Sequence, residues 1–353
     1  MSAPEPPACL GPDEMCARIA AFAADALGTP RCSVRASGLR RMPGGSSRET
    51  WSLRLEIERA GGAPEVLDAV LRRDPPGRSG ESDRGLEFRV LRAAAEAGVP
   101  VPRVHFCCSD PEVIGTPFFV MDRIPGETLP RRLLRDEAYA DARARMTEQL
   151  AEILARIHRV PLEPSLRAAL AAPTPGDAAP ARAQLDAVAA GVRALAAEPH
   201  PTLDLAERWL RERLPPPTRA ALVHGDYRIG NVVFDAGGAR AILDWELAHV
   251  GDPVEDLGWL CTRAWRFGSE LPVGGIGSRE TLLAAYERAG GGAVDPEHLR
   301  FWEALGSFKV ALVFIQQSNV YLSGRVRSLE LASLGRRIGE AEAELIERMQ
   351  DVP

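Results

Sequence analysis

Lysine is nearly absent: Lys309 is the only one among 43 basic residues, so arginine carries the positive charge. That is a compositional bias, and no function is read from it. Basic excess is missing too. A formal net charge of −6 and a pI near 5.7 argue against nucleic acid or an anionic membrane as the main partner. No apolar stretch is long enough to span a bilayer, and no basic segment precedes an apolar run as in a signal peptide. The six cysteines (Cys9, Cys16, Cys32, Cys107, Cys108, Cys261) form no C-x-x-C pair. Neighbours Cys107 and Cys108 would point to opposite faces of a strand, so reduced thiols in a cytoplasmic protein are expected. The histidines show no zinc spacing, and no internal repeat is visible. A hydrophobic fraction of 45% is ordinary for a globular chain, and 353 residues call for two lobes.

What is present is concentrated between Leu222 and Pro253. A short apolar strand, Ala221 to Val223, ends at His224-Gly225-Asp226, and four residues separate Asp226 from Asn231. An apolar run (Val232 to Phe234), a turn at Asp235 to Gly238 and a second run (Ala241 to Leu243) then lead to Asp244-Trp245-Glu246. Two runs around a Gly-Gly turn predict a β-hairpin. A hairpin brings its outer ends together, which sets Asn231 beside Asp244 and Asp226 one loop away. Kinases need a carboxylate that accepts the proton of the attacking hydroxyl, and an Asn and an Asp that hold Mg²⁺ against nucleotide phosphates. Asp226, Asn231 and Asp244 reproduce that spacing, with His-Gly-Asp for His-Arg-Asp and Asp-Trp-Glu for Asp-Phe-Gly. A polar hairpin that only fixes a loop is the competing reading.

Residues 1–12 are Pro-rich and expected to be disordered. A helix is predicted from Asp13 to Leu27 with Gly28 as its C-cap, then strands near Ser33 to Leu39, Trp51 to Ile57, and Glu65 to Arg72. The turn holding Gly44, Gly45, Ser46 and Ser47 is either an ordinary turn or a phosphate-covering loop. A helix from about Ser82 to Ala97 and strands within Val99 to Cys108 and Pro117 to Ile124 follow, the last running into Pro125-Gly126, a boundary signal. Beyond it the pattern is helical: Asp136 to His158, a loop from Pro161 to Pro180, then Ala181 to Ala197 and Thr202 to Leu214. After the central motif come a helix from Asp252, whose Asp252 and Asp256 read as helix-start caps, and helices Arg279 to Ala289, Pro296 to Leu322 and Leu329 to Met349. His158 reads as a packed helix-end residue.

The run from "HGDYRIGN" through Asp244-Trp245-Glu246 to Asp256-Leu257-Gly258 resembles the aminoglycoside phosphotransferase family of protein-kinase-like small-molecule kinases. It is especially similar to the branch related to the kinase domains of acyl-CoA dehydrogenase fusion proteins. The resemblance covers nearly the whole chain and is most specific over residues 222–258. It implies an α/β (α+β), two-lobe protein-kinase-like fold: an antiparallel-sheet N-lobe over 13–122, a hinge at 123–127 and a mainly helical C-lobe over 128–353. It implies transfer of the γ-phosphoryl of ATP, with GTP not excluded, to a hydroxyl of a small molecule, with Asp226 as the base and Mg²⁺ held by Asn231 and Asp244. The position of Gly44 to Ser47 resembles the family's glycine loop. Arg72 takes the place of the usual lysine and pairs with Glu87, while Arg73 on the opposite face meets solvent; an ordinary surface role for Glu87 is the alternative. Backbone groups at Met121, Asp122 and Arg123 would face the adenine. His224 braces the catalytic loop, Arg228 is a loop brace or a substrate contact, and Glu246 either adds a carboxylate near a second metal or bonds only to the loop.

Two rivals share this sequence pattern. A nucleotide-binding pseudokinase scaffold is disfavoured by the presence of Asp226, Asn231 and Asp244 together. A protein kinase is disfavoured because no Ala-Pro-Glu segment follows Asp244. From Val254 onward acidic and basic residues nearly balance, which disfavours a polycationic substrate. Of Trp259, Trp265, Trp302, Phe308, Phe314 and Tyr321, most are expected in the core. One or two would face the substrate, with Arg263, Arg266 or Arg325 meeting an anionic group on it. The expected acceptor is a neutral or anionic hydroxyl compound, such as a macrolide-like molecule or, as the branch resemblance implies, a hydroxyacyl thioester. Neither its identity nor the oligomeric state is fixed by the sequence.

Overall fold

In the computed structural model, residues 10–42, 48–59, 63–75, 83–170 and 180–350 are described. The expected tail over 1–12 and the turn holding Gly44, Gly45, Ser46 and Ser47 fall largely or wholly outside them. The chain divides into two compact units, Met1–Glu96 with Pro100–Pro125 and Ala97–Val99 with Gly126–Pro353.

The first unit is a five-stranded antiparallel sheet with helices. Its strands β1 (Val34–Arg41), β2 (Glu49–Ile57), β3 (Glu65–Arg73), β4 (Val104–Cys108) and β5 (Phe118–Asp122) run in the order β1-β2-β3-β5-β4. Period-two patterning sets the faces: Leu53, Leu55 and Ile57 of β2 are buried while Arg54 is exposed. Helix α1 (Pro12–Leu27) lays Met15, Ile19, Ala20 and Ala23 on that apolar face, in one cluster with Leu55, Leu71 and Phe118. Ile19 is fully buried there, so Ile19→Ala would cost about 2–5 kcal/mol. Gly28 ends α1 in the left-handed conformation that only glycine adopts freely. Helix α2 (Arg84–Glu96) follows β3.

Arg73 departs from expectation. It is buried, not solvent-facing: its Nε lies 2.8 Å from Glu49 Oε2, an Nη1–H donates to the Ile114 carbonyl at 3.2 Å, and it stacks over Trp51. The central position of β3 explains this, because both of its faces are covered and all five residues from Ala69 to Arg73 are buried. Burial pushes the Cys107 thiol up to about 11, which marks it as a packing residue and not a nucleophile.

The second unit is mainly helical. It contains α3 (Pro130–Arg135), α4 (Ala140–Ile157), α5 (Pro164–Ala169), α6 (Pro180–Leu195) and α7 (Pro201–Glu212). Next come β6 (Ala221–Val223), β7 (Val232–Asp235), β8 (Gly238–Ile242) and β9 (His249–Gly251). The chain closes with α8 (Val254–Cys261), α9 (Arg279–Arg288), α10 (Pro296–Leu322), α11 (Leu329–Leu334) and α12 (Ile338–Gln350). α10 is buried nearly all round, and Gly258 of α8 lets the two helices meet. A Cβ there would come within 2.6 Å of Trp302 Cβ. Glu303 on α10 binds Arg279 and Arg348, clamping α9 and α12 to it.

Two sequence expectations are corrected here, and one strand is added that the sequence did not indicate. The Pro161 to Pro180 loop contains α5, a short helix started by Pro164 at its first position. The single helix from Leu329 to Met349 is divided by a 3₁₀ turn at Gly335–Arg337, where glycine weakens the helix. Strand β9, too short to show a period, pairs antiparallel with β6.

Candidate active site

The site grows from the end of β6. There the chain turns through Gly225 at φ +80°, where a Cβ would lie 2.4 Å from the Leu247 carbonyl oxygen, so only glycine fits between His224 and Asp226. The loop is then held by buried groups. Asp256, fully buried on α8, accepts the N–H groups of His224 at 2.8 Å and Gly225 at 3.0 Å on separate oxygens. Burial alone would raise the Asp256 carboxyl. The hydrogen bond and charge of His158, with His224, outweigh that and hold it below the usual carboxylate range. His224 accepts the Asp226 N–H on Nδ1 and donates from Nε2 to the Leu243 carbonyl at 3.0 Å, tying the loop to the hairpin's far end. Lys309 on α10 donates to the Gly225 carbonyl at 3.1 Å.

The hairpin β7–β8 pairs Val232 with Ile242, and the Leu243 N–H donates to the Asn231 carbonyl at 2.8 Å. Asn231 therefore stands opposite Leu243, with Asp244 the next residue, at φ +67° in the left-handed region that Asp tolerates better than most side chains. The Asp226 carboxylate collects three donors. Trp259 Nε1 is 2.8 Å from Oδ1, Asn231 Nδ2 is 2.7 Å from Oδ2, and Arg228 Nε lies 3.0 and 3.2 Å from the two oxygens. These fix the orientation of a carboxylate that is still partly exposed.

Because the Asn231 amide nitrogen is committed to Asp226, its oxygen is the atom left to bind something else. That oxygen and the Asp244 carboxylate are hard donors of the kind Mg²⁺ takes, with water and phosphate oxygens completing its shell. Among the described residues no group of three or more His, Cys, Asp or Glu gathers for a metal. Glu246 is half-buried two residues on.

In the first unit, Arg72 Nη1 lies 3.0 Å from Glu87 Oε1, and both side chains are buried. Two further arginines join them: Arg84 pairs with Glu87 and lies 3.5 Å from Asp74, and Arg48 pairs with Asp74 at 3.0 Å. Neither Arg48 nor Arg84 stood out in the sequence. Single arginines in an arginine-rich chain carry no signal until the fold gathers them. Met121 is buried, and the Asp122 N–H donates to the Arg103 carbonyl and the Arg123 N–H to the Asp68 carbonyl, both at 2.9 Å. Those two donors are thus used inside the unit, a correction to the expectation that they face a ligand. The strand itself ends at Asp122, two residues short of the expected Ile124, with one further backbone hydrogen bond at Arg123.

The aromatic expectation divides as the burial does: Trp259, Trp302, Phe308 and Phe314 are buried, Trp265 is half-buried and Tyr321 is exposed. Trp259 is buried yet reaches Asp226, and Trp265 packs on it at 5.2 Å and carries Arg228 over its face at 4.7 Å. Arg263 pairs with Glu347 and Arg266 donates to the Cys261 carbonyl, while Arg325 is exposed. The cations at Asp226 are Arg228 and Lys309, of which only Arg228 was singled out in the sequence as a site residue.

The sequence profile of the phosphotransferase enzyme family matches residues 38–302. Among curated proteins, the chain is 32% identical over 347 residues to acyl-CoA dehydrogenase family member 11 of Gallus gallus, covering 91% of this chain and 42% of that protein. It is 35% identical over 208 residues to family member 10 of Mus musculus, covering 58% of this chain and 19% of that protein. The chain thus spans less than half the length of these relatives. Among solved structures, a Ralstonia eutropha protein assigned to the aminoglycoside phosphotransferases superposes with a TM-score of 0.70 at 23% identity, covering 90% and 93% of the two chains. Macrolide 2′-phosphotransferase type I superposes with a TM-score of 0.57 at 20% identity, covering 92% and 95%. The GDP complex of aminoglycoside 2′-phosphotransferase-IIIa gives 0.56 at 14%, covering 88% and 94%.

Proposed function

Because this chain belongs to the phosphotransferase enzyme family and has its kinase-like fold, we propose that it is a small-molecule kinase. It moves the γ-phosphoryl of ATP to a hydroxyl of a neutral or anionic metabolite. The observation that carries this reading is the Asp226 carboxylate, oriented by Trp259, Asn231 and Arg228 at the end of a buried strand. In the proposed reaction Asp226 orients the acceptor hydroxyl and takes its proton. Asn231, through its amide oxygen, and Asp244 hold Mg²⁺, which when bound neutralises charge on the phosphates. Arg72, set by Glu87, contacts the nucleotide phosphates, with Gly44 to Ser47 as the covering loop. Asp122 and Arg123 have their N–H groups engaged, so adenine contact in this region falls to carbonyls and to Ile124 beyond them.

The acceptor class follows from charge. Arg228 pairs with Asp226, and Lys309, which donates to the Gly225 carbonyl, lies 3.6 Å from Glu255, so these two cations match two carboxylates and leave no negative surplus between them to attract a polyamine sugar. A hydroxyacyl thioester is the leading class, supported by the similarity to the acyl-CoA dehydrogenase family members. ADP release measured over a panel of hydroxyacyl thioesters, macrolides, kanamycin-like aminoglycosides and a protein mixture tests the reading. Turnover of hydroxyacyl compounds or macrolides is expected. Turnover of the aminoglycosides or proteins alone contradicts it.

A further inference from the structure

A second concave site opens in the helical unit, with a volume near 580 Å³, and none of its lining residues is among those that bond to the Asp226 carboxylate. Helix α3, the start of α4 and the segment 267–276 enclose it. The size is that of a nucleotide-sized ligand site. Its charge is one-sided: Arg131, Arg135 and Arg143 line it and no carboxylate does. That is unusual in a chain of net charge −6 whose arginines mostly meet acids. Arg132, between two of them in sequence, bonds to Glu127 and Asp136. Arg131 and Arg135 are exposed and have no hydrogen-bond or ion-pair partner among the described residues. Arg143 is half-buried, and its Nη1 donates to the Leu133 and Asp136 carbonyls at 2.7 and 2.9 Å, which aims the guanidinium.

The rest of the lining is apolar. Phe267 and Leu271 leave 43% and 47% of their surface exposed, an unusual cost for a surface with no ligand. Phe267 is held at φ +51°, a conformation that is strained for a bulky aromatic and that clusters at ligand sites. The segment that lines the pocket also abuts the catalytic loop: a Cβ on Gly274, the neighbour of the lining Gly275, would come within 2.5 Å of Ile229, three residues after Asp226.

We propose that this pocket binds a phosphate ester of two or more charges carried on a partly apolar small molecule. The arginines take the phosphates, while Phe267 and Leu271 take the apolar part. This deepens the kinase reading and rests on it in one respect: the phosphate ester is either the coenzyme end of a thioester acceptor or a separate free nucleotide. Both share the chemistry, and the probes below distinguish them.

The test is calorimetric titration of the full chain, without turnover, using coenzyme A, 3′-dephospho-coenzyme A, ADP and inorganic phosphate. Arg131→Ala/Arg135→Ala and Arg135→Glu are the variants; both positions are exposed and unpaired, so the core is untouched. Coenzyme A is expected to bind, to lose about tenfold or more in affinity in the double variant and more in Arg135→Glu, and to weaken as salt rises. The same pattern with ADP in place of coenzyme A supports the site with a free nucleotide as its ligand. Coenzyme A that fails to bind or binds wild type and double variant equally, with ADP affinity also unchanged in the double variant, or inorganic phosphate binding as tightly as coenzyme A, overturns the proposal. Coenzyme A binding retained in Asp226→Asn, with no acceptor ever phosphorylated by wild type, leaves the pocket standing and removes the kinase reading.

Discussion

Replacing Asp256 by Asn isolates the group that holds the catalytic loop. Its carboxylate takes the Gly225 N–H on one oxygen and the His224 N–H on the other, which also lies 3.2 Å from His158 Nε2. Asn has the same shape but one acceptor oxygen. The less damaging orientation keeps that oxygen toward His224 and His158 and turns the NH₂ onto the Gly225 N–H. One hydrogen bond to a charged group is then lost, about 1.5–3 kcal/mol, and a buried N–H is left unmatched, about 1–3 kcal/mol. These overlap, so the expected cost is about 2–4 kcal/mol. Gly225 precedes Asp226, so displacement there moves the carboxylate. A displaced catalytic group loses its alignment, so turnover should fall about tenfold or more. Urea unfolding followed by tryptophan fluorescence reads the stability, and ADP release reads the turnover. An Asp256→Asn protein within about 0.5 kcal/mol of wild type in unfolding free energy, and within threefold in turnover, would refute the reasoning.

Further outcomes follow from the same contacts. Burial lowers the His249 imidazole, but the charge and hydrogen bond of Glu255 and the Leu247 carbonyl outweigh it and raise it overall. A raised folded pKa stabilises fully below the unfolded value of about 6.5 and is lost as pH rises through the folded one. Unfolding free energy should therefore drop as pH rises above about 6.5, and His249→Gln should flatten that slope; an unchanged slope contradicts the assignment. Arg72→Met should weaken nucleotide affinity about tenfold or more by fluorescence titration, with Arg72→Lys retaining more, because charge at the buried Glu87 pair matters most. Intact nucleotide use in Arg72→Met would send the search to Arg48 and Arg84. Asn231→Ala and Asp244→Ala should raise the Mg²⁺ concentration giving half-maximal activity, and no shift in either would remove the metal assignment.

What the sequence disclosed is local. The β7–β8 hairpin was legible because two apolar runs flank a Gly-Gly turn, and that spacing alone set Asn231 next to Leu243–Asp244. The period of β2 and the cap at Gly28 were legible for the same reason. Long-range partners were not. Trp259 reads as a core aromatic on a helix, and only the α8 geometry turns its Nε1 onto Asp226, 33 residues away in sequence. Lys309 lies 84 residues from the carbonyl it binds. Asp256 looked like a helix-start cap because its position allows one; its actual partners are on the loop that ends β6. Arg73 was misplaced because strand alternation predicts faces and does not say that both faces of a central strand are covered.

The central claim is that Asp226 is the proton acceptor of a phosphoryl transfer. The most direct measurement is single-turnover transfer from γ-labelled ATP to an accepted hydroxyl compound by wild type and Asp226→Asn, with nucleotide binding measured in parallel. Asn keeps the shape and can still accept from Trp259, so the variant should fold and bind ATP. The account predicts loss of about 10²–10⁴-fold in the transfer rate, with nucleotide affinity nearly unchanged. A transfer rate near wild type in Asp226→Asn would contradict it.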